Sequence, residues 1–160
     1  MKWDLPQQKA FEQLKMDICT CVLELGIFDP ENETLIFTDA SPTGLGAALV
    51  QKFGKICRVV EFAAKTLSVT ERKYPQAQRE ALAAVWAVER FHYYLAGLKF
   101  TLYSDYRALQ FIFKGAFRIN KRAKSRAESW ALRLQHYDFD IKYSSKKKFG
   151  NTFKFLVFLA

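Results

Sequence analysis

The sequence predicts an α/β domain: a three-strand antiparallel meander, then a helix-length crossover to a fourth strand parallel with the first. Three observations carry this. Apolar runs at Leu35–Asp39, Gly44–Val50 and Ile56–Ala63 are joined by short turn-forming links, and short links make antiparallel neighbours. A helical pattern from Ser68 to Leu95 follows, and a connection of that length normally returns as a right-handed crossover to a parallel strand. Finally, an Asp stands at the tip of the first strand and another at the tip of the fourth.

The bulk numbers fit one domain. The chain has 160 residues, half of them hydrophobic and 16% aromatic, enough for a sizeable core. A formal net charge of +9 points to a polyanionic partner, nucleic acid before membrane. Cys19, Cys21 and Cys57 have no metal-ligand spacing and form no even disulfide set. They read as reduced, mostly buried thiols of an intracellular, cytoplasmic protein. Trp3-Asp4-Leu5-Pro6 interrupts any secretory signal, and the apolar run Phe153–Ala160 contains Lys154 and is too short to cross a bilayer. No membrane partner is expected.

Residues 1–33 read as a tether ahead of the domain. Asp4 can cap a helix over residues 4–25, Pro6 suits its first turn, and Ala10, Phe11, Leu14 and Ile18 recur at helical spacing. The domain proper spans 34–143. Its first strand, Leu-Ile-Phe-Thr, runs into Asp39 and the turn-prone Ala40-Ser41-Pro42-Thr43-Gly44; an Asp there also serves as an ordinary turn cap. In the second strand, Gly44 and Gly46 let the backbone pass close to a neighbour. Phe53-Gly54-Lys55 is a hairpin turn into the third strand.

The helix from Ser68 is capped by Ser68 or Thr70, with Glu71 in its first turn, and ends at Gly97. Tyr74, Ala77, Ala81, Ala84, Val85, Val88 and Leu95 share one side. Glu80 sits at the shoulder of that side among alanines: either a carboxylate at the helix–sheet seam or a half-exposed surface residue. Phe100–Ser104 is the fourth strand, with Asp105 at its tip and Tyr106–Leu109 opening a short helix. Asp39 and Asp105 therefore leave the sheet at the same edge. From Lys114 to Arg133 the chain is basic, with Lys114, Arg118, Lys121, Arg122, Lys124 and Arg126 against Glu128 alone. The pattern suits phosphate contact or a solvated face, and Trp130, Leu132 and Leu134 suggest a helix packed on the body. Tyr137–Tyr143 alternates as a fifth, half-exposed strand. Residues 144–160 form a basic, then apolar tail of different composition.

Asp39, Glu80 and Asp105 would form a carboxylate cluster whose members repel one another unless cations are close. Hard oxygen donors favour Mg²⁺ or Mn²⁺. Two such ions, about 3.5–4 Å apart, suit water-driven phosphodiester cleavage.

At these residues the chain resembles the ribonuclease H domain of gypsy-type (Ty3-like) retrotransposon reverse transcriptases. The similarity is carried by Thr38-Asp39-Ala40-Ser41 with Gly44-Leu45-Gly46-Ala47, and by Tyr74 with Arg79-Glu80-Ala81-Leu82-Ala83. It continues through Phe91-His92-Tyr93-Tyr94-Leu95-Ala96-Gly97, Ser104-Asp105 with Ala108-Leu109, Trp130-Ala131-Leu132-Arg133-Leu134 and Tyr137-Asp138-Phe139. Gln8, Ala10, Phe11 and Leu14 look like the segment joining polymerase to nuclease. The resemblance implies a ribonuclease H-like fold, a mixed five-stranded sheet in the order 3-2-1-4-5 flanked by helices. It implies a two-metal endonuclease cutting the RNA strand of RNA–DNA hybrids, with Asp39, Glu80 and Asp105 as catalytic metal ligands. It also implies a polymerase domain upstream in the same polyprotein, and a virus-like particle as the setting of an intact element.

Two positions depart from the family. Tyr106 stands where a His is usual, and the family's closing helix, with a fourth Asp in an Ala-Asp-Ala-Leu-Ser-Arg-like segment, has no match after Tyr143, where no Asp or Glu occurs. Asp138 and Asp140 match other positions. The alternative reading is therefore a catalytically inactive or decayed ribonuclease H-like module that binds nucleic acid. An ATP-binding member of the same broad fold would need phosphate-cradling glycine loops, and Gly44-Leu45-Gly46 is only a strand.

Overall fold

The computed structural model describes residues 25–54, 56–107, 109 and 121–143, with Leu5, Gln8, Lys9, Glu12 and Gln13. Those five isolated residues are helical and exposed; Leu25, where the expected 4–25 helix would end, is not helical, and the rest of that helix, residues 110–120 and the tail 144–160 lie outside the described residues.

Five strands form one sheet in the order β3-β2-β1-β4-β5: β1 (Glu33–Ala40), β2 (Gly44–Phe53), β3 (Ile56–Thr66), β4 (Lys99–Ser104) and β5 (Asp138–Tyr143). The expected meander is present, with β1–β2 and β2–β3 antiparallel. The crossover makes β4 parallel to β1, and β5 is parallel to β4. Two turns set the meander. At the first, the Ser41 hydroxyl accepts the N–H of Thr43 (3.1 Å) and of Gly44 (2.8 Å), an ST turn that closes the chain immediately after β1. At the second, Gly54 has φ +62°, a conformation that side chains disfavour.

The helical stretch is broken, contrary to one helix over Ser68–Leu95. It comprises α1 (Val69–Arg72), α2 (Gln76–Arg90) and α3 (His92–Leu95). Pro75 causes the first break: it carries no N–H to continue the ladder, and it excludes its predecessor Tyr74 from helical ψ. Ser68 caps α1 in a full capping box with Glu71. The backbone N–H of Ser68, chiefly, and then Lys65 hold the Glu71 carboxyl below its ordinary pKa. The chain turns at Gly97, where φ is +77°.

Helix α2 packs on β1, β2 and β4. Its small inner residues Ala81, Ala84, Val85 and Val88 are fully buried with Ile36, Leu45, Leu49 and Leu102 of the sheet. Helix α4 (Lys121–Leu134) packs on α2, burying Trp130 and Leu134 as expected, with Leu132 outward. Leu35, Phe37, Ala48 and Val50 make a second apolar cluster with Val59, Phe62 and Tyr103. Cys57, expected among mostly buried thiols, is exposed because it lies on the edge strand β3; Cys19 and Cys21 lie outside the described residues.

Candidate functional site

The register puts two carboxylates side by side. The parallel β1–β4 ladder ends at the pair Thr38–Ser104, so Asp39 and Asp105 are the next residues of both strands at one edge. Across β2, the partner of Asp39 is Gly46, so no cross-strand side chain stands beside the carboxylate. Beyond β4, the N–H of Tyr106 bonds to the Ser104 hydroxyl (3.2 Å), turning the chain away just after Asp105.

The third carboxylate comes from α2. Restarting at Gln76, the helix places Glu80 in its second turn, 1% exposed; among the alanines of this helix, the seam reading of Glu80 holds over the surface one. Asp39 is 4% exposed and Asp105 half-buried. One carboxylate oxygen from each of Asp39, Glu80 and Asp105 lies within 4.8 Å of the others, the one grouping of this kind among the described residues. The donors are all carboxylate oxygens, two of them on buried side chains. Such a set is costly to gather while ionised unless a cation joins it, and its hardness suits Mg²⁺ or Mn²⁺ rather than a thiophilic metal. The acidic triad can thus hold metal.

Sequence reasoning missed one residue beside the triad. The Gln76 side-chain amide donates to the Ala40 carbonyl (3.2 Å) and to Glu80 Oε1, while its oxygen accepts from Arg79. Arg79 also donates to the Tyr74 carbonyl at 2.7 Å. The available signal is helical spacing: Gln76 lies one turn before Glu80.

The basic residues divide differently. Lys121, Arg122 and Lys124 fall in the first turn of α4, whereas Lys114 and Arg118 lie outside the described residues. Arg126 is half-buried, its guanidinium 4.4 Å from the centre of the Tyr74 ring. No helix among the described residues is long and apolar enough to cross a membrane.

Comparison with known proteins agrees with this geometry. Residues 29–137 match the model of the RNase H-like domain found in reverse transcriptase. The chain is 35% identical over 141 residues to the retrovirus-related Pol polyprotein from transposon 297 of Drosophila melanogaster, covering 88% of this chain and 12% of that one. It is 30% identical over 149 residues to the transposon Tf2-3 polyprotein of Schizosaccharomyces pombe, covering 89% and 11%. The chain thus spans about an eighth of the length of the curated relatives it matches. Among solved structures, the prototype foamy virus protease-reverse transcriptase superposes with a TM-score of 0.68 at 18% identity, over 89% of this chain and 19% of that one. RNase H1 from Halobacterium salinarum superposes with a TM-score of 0.54 at 17% identity, over 80% and 94%. With its matched segment covering most of the domain and its sheet in the ribonuclease H order, the chain belongs to the family of RNase H-like domains of reverse transcriptases, next to gypsy-type and Tf2 transposon polyproteins.

Proposed function

We propose that this domain is a metal-dependent endonuclease that hydrolyses the RNA strand of RNA–DNA hybrids as part of a retrotransposon reverse transcriptase. The observation that carries the reading is the meeting of Asp39, Glu80 and Asp105 from three separate elements. Asp39 and Glu80 supply oxygens from buried positions held by the sheet and by α2, and Asp105 closes the more open side. These residues would hold Mg²⁺ or Mn²⁺, two ions by the family's chemistry; such ions activate a water and stabilise the leaving oxygen in phosphodiester hydrolysis. The chain's own task is to hold three carboxylates rigidly where a phosphate can reach them.

Hybrid as substrate is supported by structural neighbours solved in complex with RNA/DNA hybrid, a foamy viral protease-reverse transcriptase and LC11-RNase H1. Lys114, Arg118, Lys121, Arg122, Lys124 and Arg126 supply the positive segment expected to meet the phosphate backbone. Residues 34–143 form the nuclease domain, 1–33 its connection to an upstream polymerase domain, and 144–160 a divergent tail.

A second reading, an inactive nucleic-acid-binding module, is favoured by one observation: residues 144–160 contain no Asp or Glu to serve as a fourth carboxylate. Cleavage of a labelled RNA–DNA hybrid in Mg²⁺ or Mn²⁺, beside Asp39→Asn, separates the two. Cleavage that the mutation abolishes supports the nuclease. Hybrid binding without cleavage supports the module, and cleavage unchanged in Asp39→Asn removes Asp39 from the site.

A further inference from the structure

We infer that Gln76 is a positioning residue for the metal site, fixing the Glu80 carboxylate relative to the end of β1; this rests on the metal reading of the triad. The amide's orientation is dictated by its neighbours. Its nitrogen has two protons and meets two acceptors, the Ala40 carbonyl at 3.2 Å and Glu80 Oε1. Its oxygen meets the Arg79 guanidinium, a pure donor. A flipped amide would face its oxygen to a carbonyl and a carboxylate and its NH₂ to a cation, so the opposite assignment is excluded.

The consequence is mechanical. Ala40 follows Asp39 directly, so a single side chain ties the strand that carries one carboxylate to the carboxylate of another element. Arg79 braces the clamp from the far side by also holding the Tyr74 carbonyl at 2.7 Å, in the break before Pro75. The triad joins β1, α2 and the end of β4, and Gln76 is a hydrogen-bonded link between α2 and the end of β1. With Glu80 Oε1 held by the amide, its rotamer is set before any ion arrives. Groups that orient a metal-binding side chain in this way typically change metal affinity about 10–100-fold when removed.

The test uses Mn²⁺ alone, titrated calorimetrically into the whole chain, with Gln76→Met and Gln76→Ala beside wild type. Met keeps the length of Gln76 without its hydrogen bonds; Ala removes both. Both variants are expected to weaken Mn²⁺ binding at least about 10-fold with melting temperatures close to wild type, because Gln76 is exposed. Gln76→Met with wild-type Mn²⁺ affinity would overturn the positioning role. So would weakened hybrid affinity at unchanged Mn²⁺ affinity, which would make Gln76 a substrate contact instead. Absence of saturable Mn²⁺ binding by the wild-type chain would overturn the metal reading itself, an outcome distinct from either of these.

Discussion

The triad is held by the closeness of α2 to the sheet, and that closeness can be perturbed directly. Ala84 is fully buried on the sheet side of α2, one turn after Glu80. Ala84→Leu replaces a methyl by an isobutyl group in a seam without room for it, and overpacking of this kind destabilises by about 1–3 kcal/mol. The relief available is movement of α2 away from β1, which carries Glu80 with it. The tolerance is small. Two oxygens bound to one Mg²⁺ are at most about 4.2 Å apart, twice a bond of about 2.1 Å. The triad already spans up to 4.8 Å, so single-ion coordination requires slight closure. An outward shift of about 1 Å works against that closure, and misplacement of this size lowers rate by about 100-fold. The control is Leu134→Ala on α4, which carries none of the three carboxylates. Leu134 is 2% exposed, and its truncation should destabilise by about 2–5 kcal/mol. Measured by urea unfolding, Mn²⁺ titration and hybrid cleavage, Ala84→Leu should lose metal affinity and rate, whereas Leu134→Ala should lose stability alone. Destabilised Ala84→Leu that binds Mn²⁺ and cleaves as wild type would refute the coupling of seam to site; Ala84→Val, a smaller intrusion, covers the event that the leucine variant does not fold.

Further expectations are independent of the seam. Ser68→Ala removes the hydroxyl that caps Glu71 N–H at 3.2 Å and should lower stability by about 0.5–2 kcal/mol in urea unfolding. The same box has a pH signature. Because the Glu71 carboxyl is held below its ordinary value of 4.5, its contribution is fully present above that value and is lost as pH falls through the folded-state pKa. The stability gap between wild type and Glu71→Gln should therefore shrink below pH 4.5, and a gap constant with pH would contradict the assignment. Joint replacement of Lys121, Arg122 and Lys124 by Ala should weaken hybrid binding and flatten its dependence on salt by about one unit of slope per lost phosphate contact. An unchanged slope would remove the start of α4 from the phosphate-binding surface.

Much of the sheet was legible because its signals are local and redundant. Short apolar runs, a turn-prone Ser-Pro-Thr-Gly segment after Asp39 and Gly54 in the hairpin each specify their own piece, and the crossover rule then orients β4. The helix was misjudged where periodicity and backbone chemistry disagree. Apolar spacing continues through Tyr74 and Ala77, but Pro75 stops the ladder regardless of spacing, and a Pro–X boundary outranks amphipathic rhythm when the two conflict. Glu80 could not be settled from spacing because helical position gives an angle around the axis, not the depth of the surface opposite. That depth depends on how closely the sheet approaches, which Ala81, Ala83 and Ala84 permit but do not dictate. Cys57 shows the converse: a residue type usually buried lies exposed because β3 is an edge, a property of strand order and not of the residue.

The break at Pro75 and the candidate site are connected through Gln76. In an unbroken helix from Ser68, Gln76 would be an interior residue with its polar group directed along the helix surface. Because the helix restarts after Pro75, Gln76 is instead the first residue of α2, at the level where β1 ends, and its amide reaches the Ala40 carbonyl. The same restart opens a gap that Arg79 spans to the Tyr74 carbonyl, a backbone acceptor left outside either helix. An interruption that lowers helical continuity thus supplies a point at which a side chain of α2 is hydrogen-bonded to both the strand end and a triad carboxylate. The placement of Glu80 follows from a helix start, a strand end and the glutamine between them, and each of these is set by a residue whose backbone chemistry is visible in the sequence.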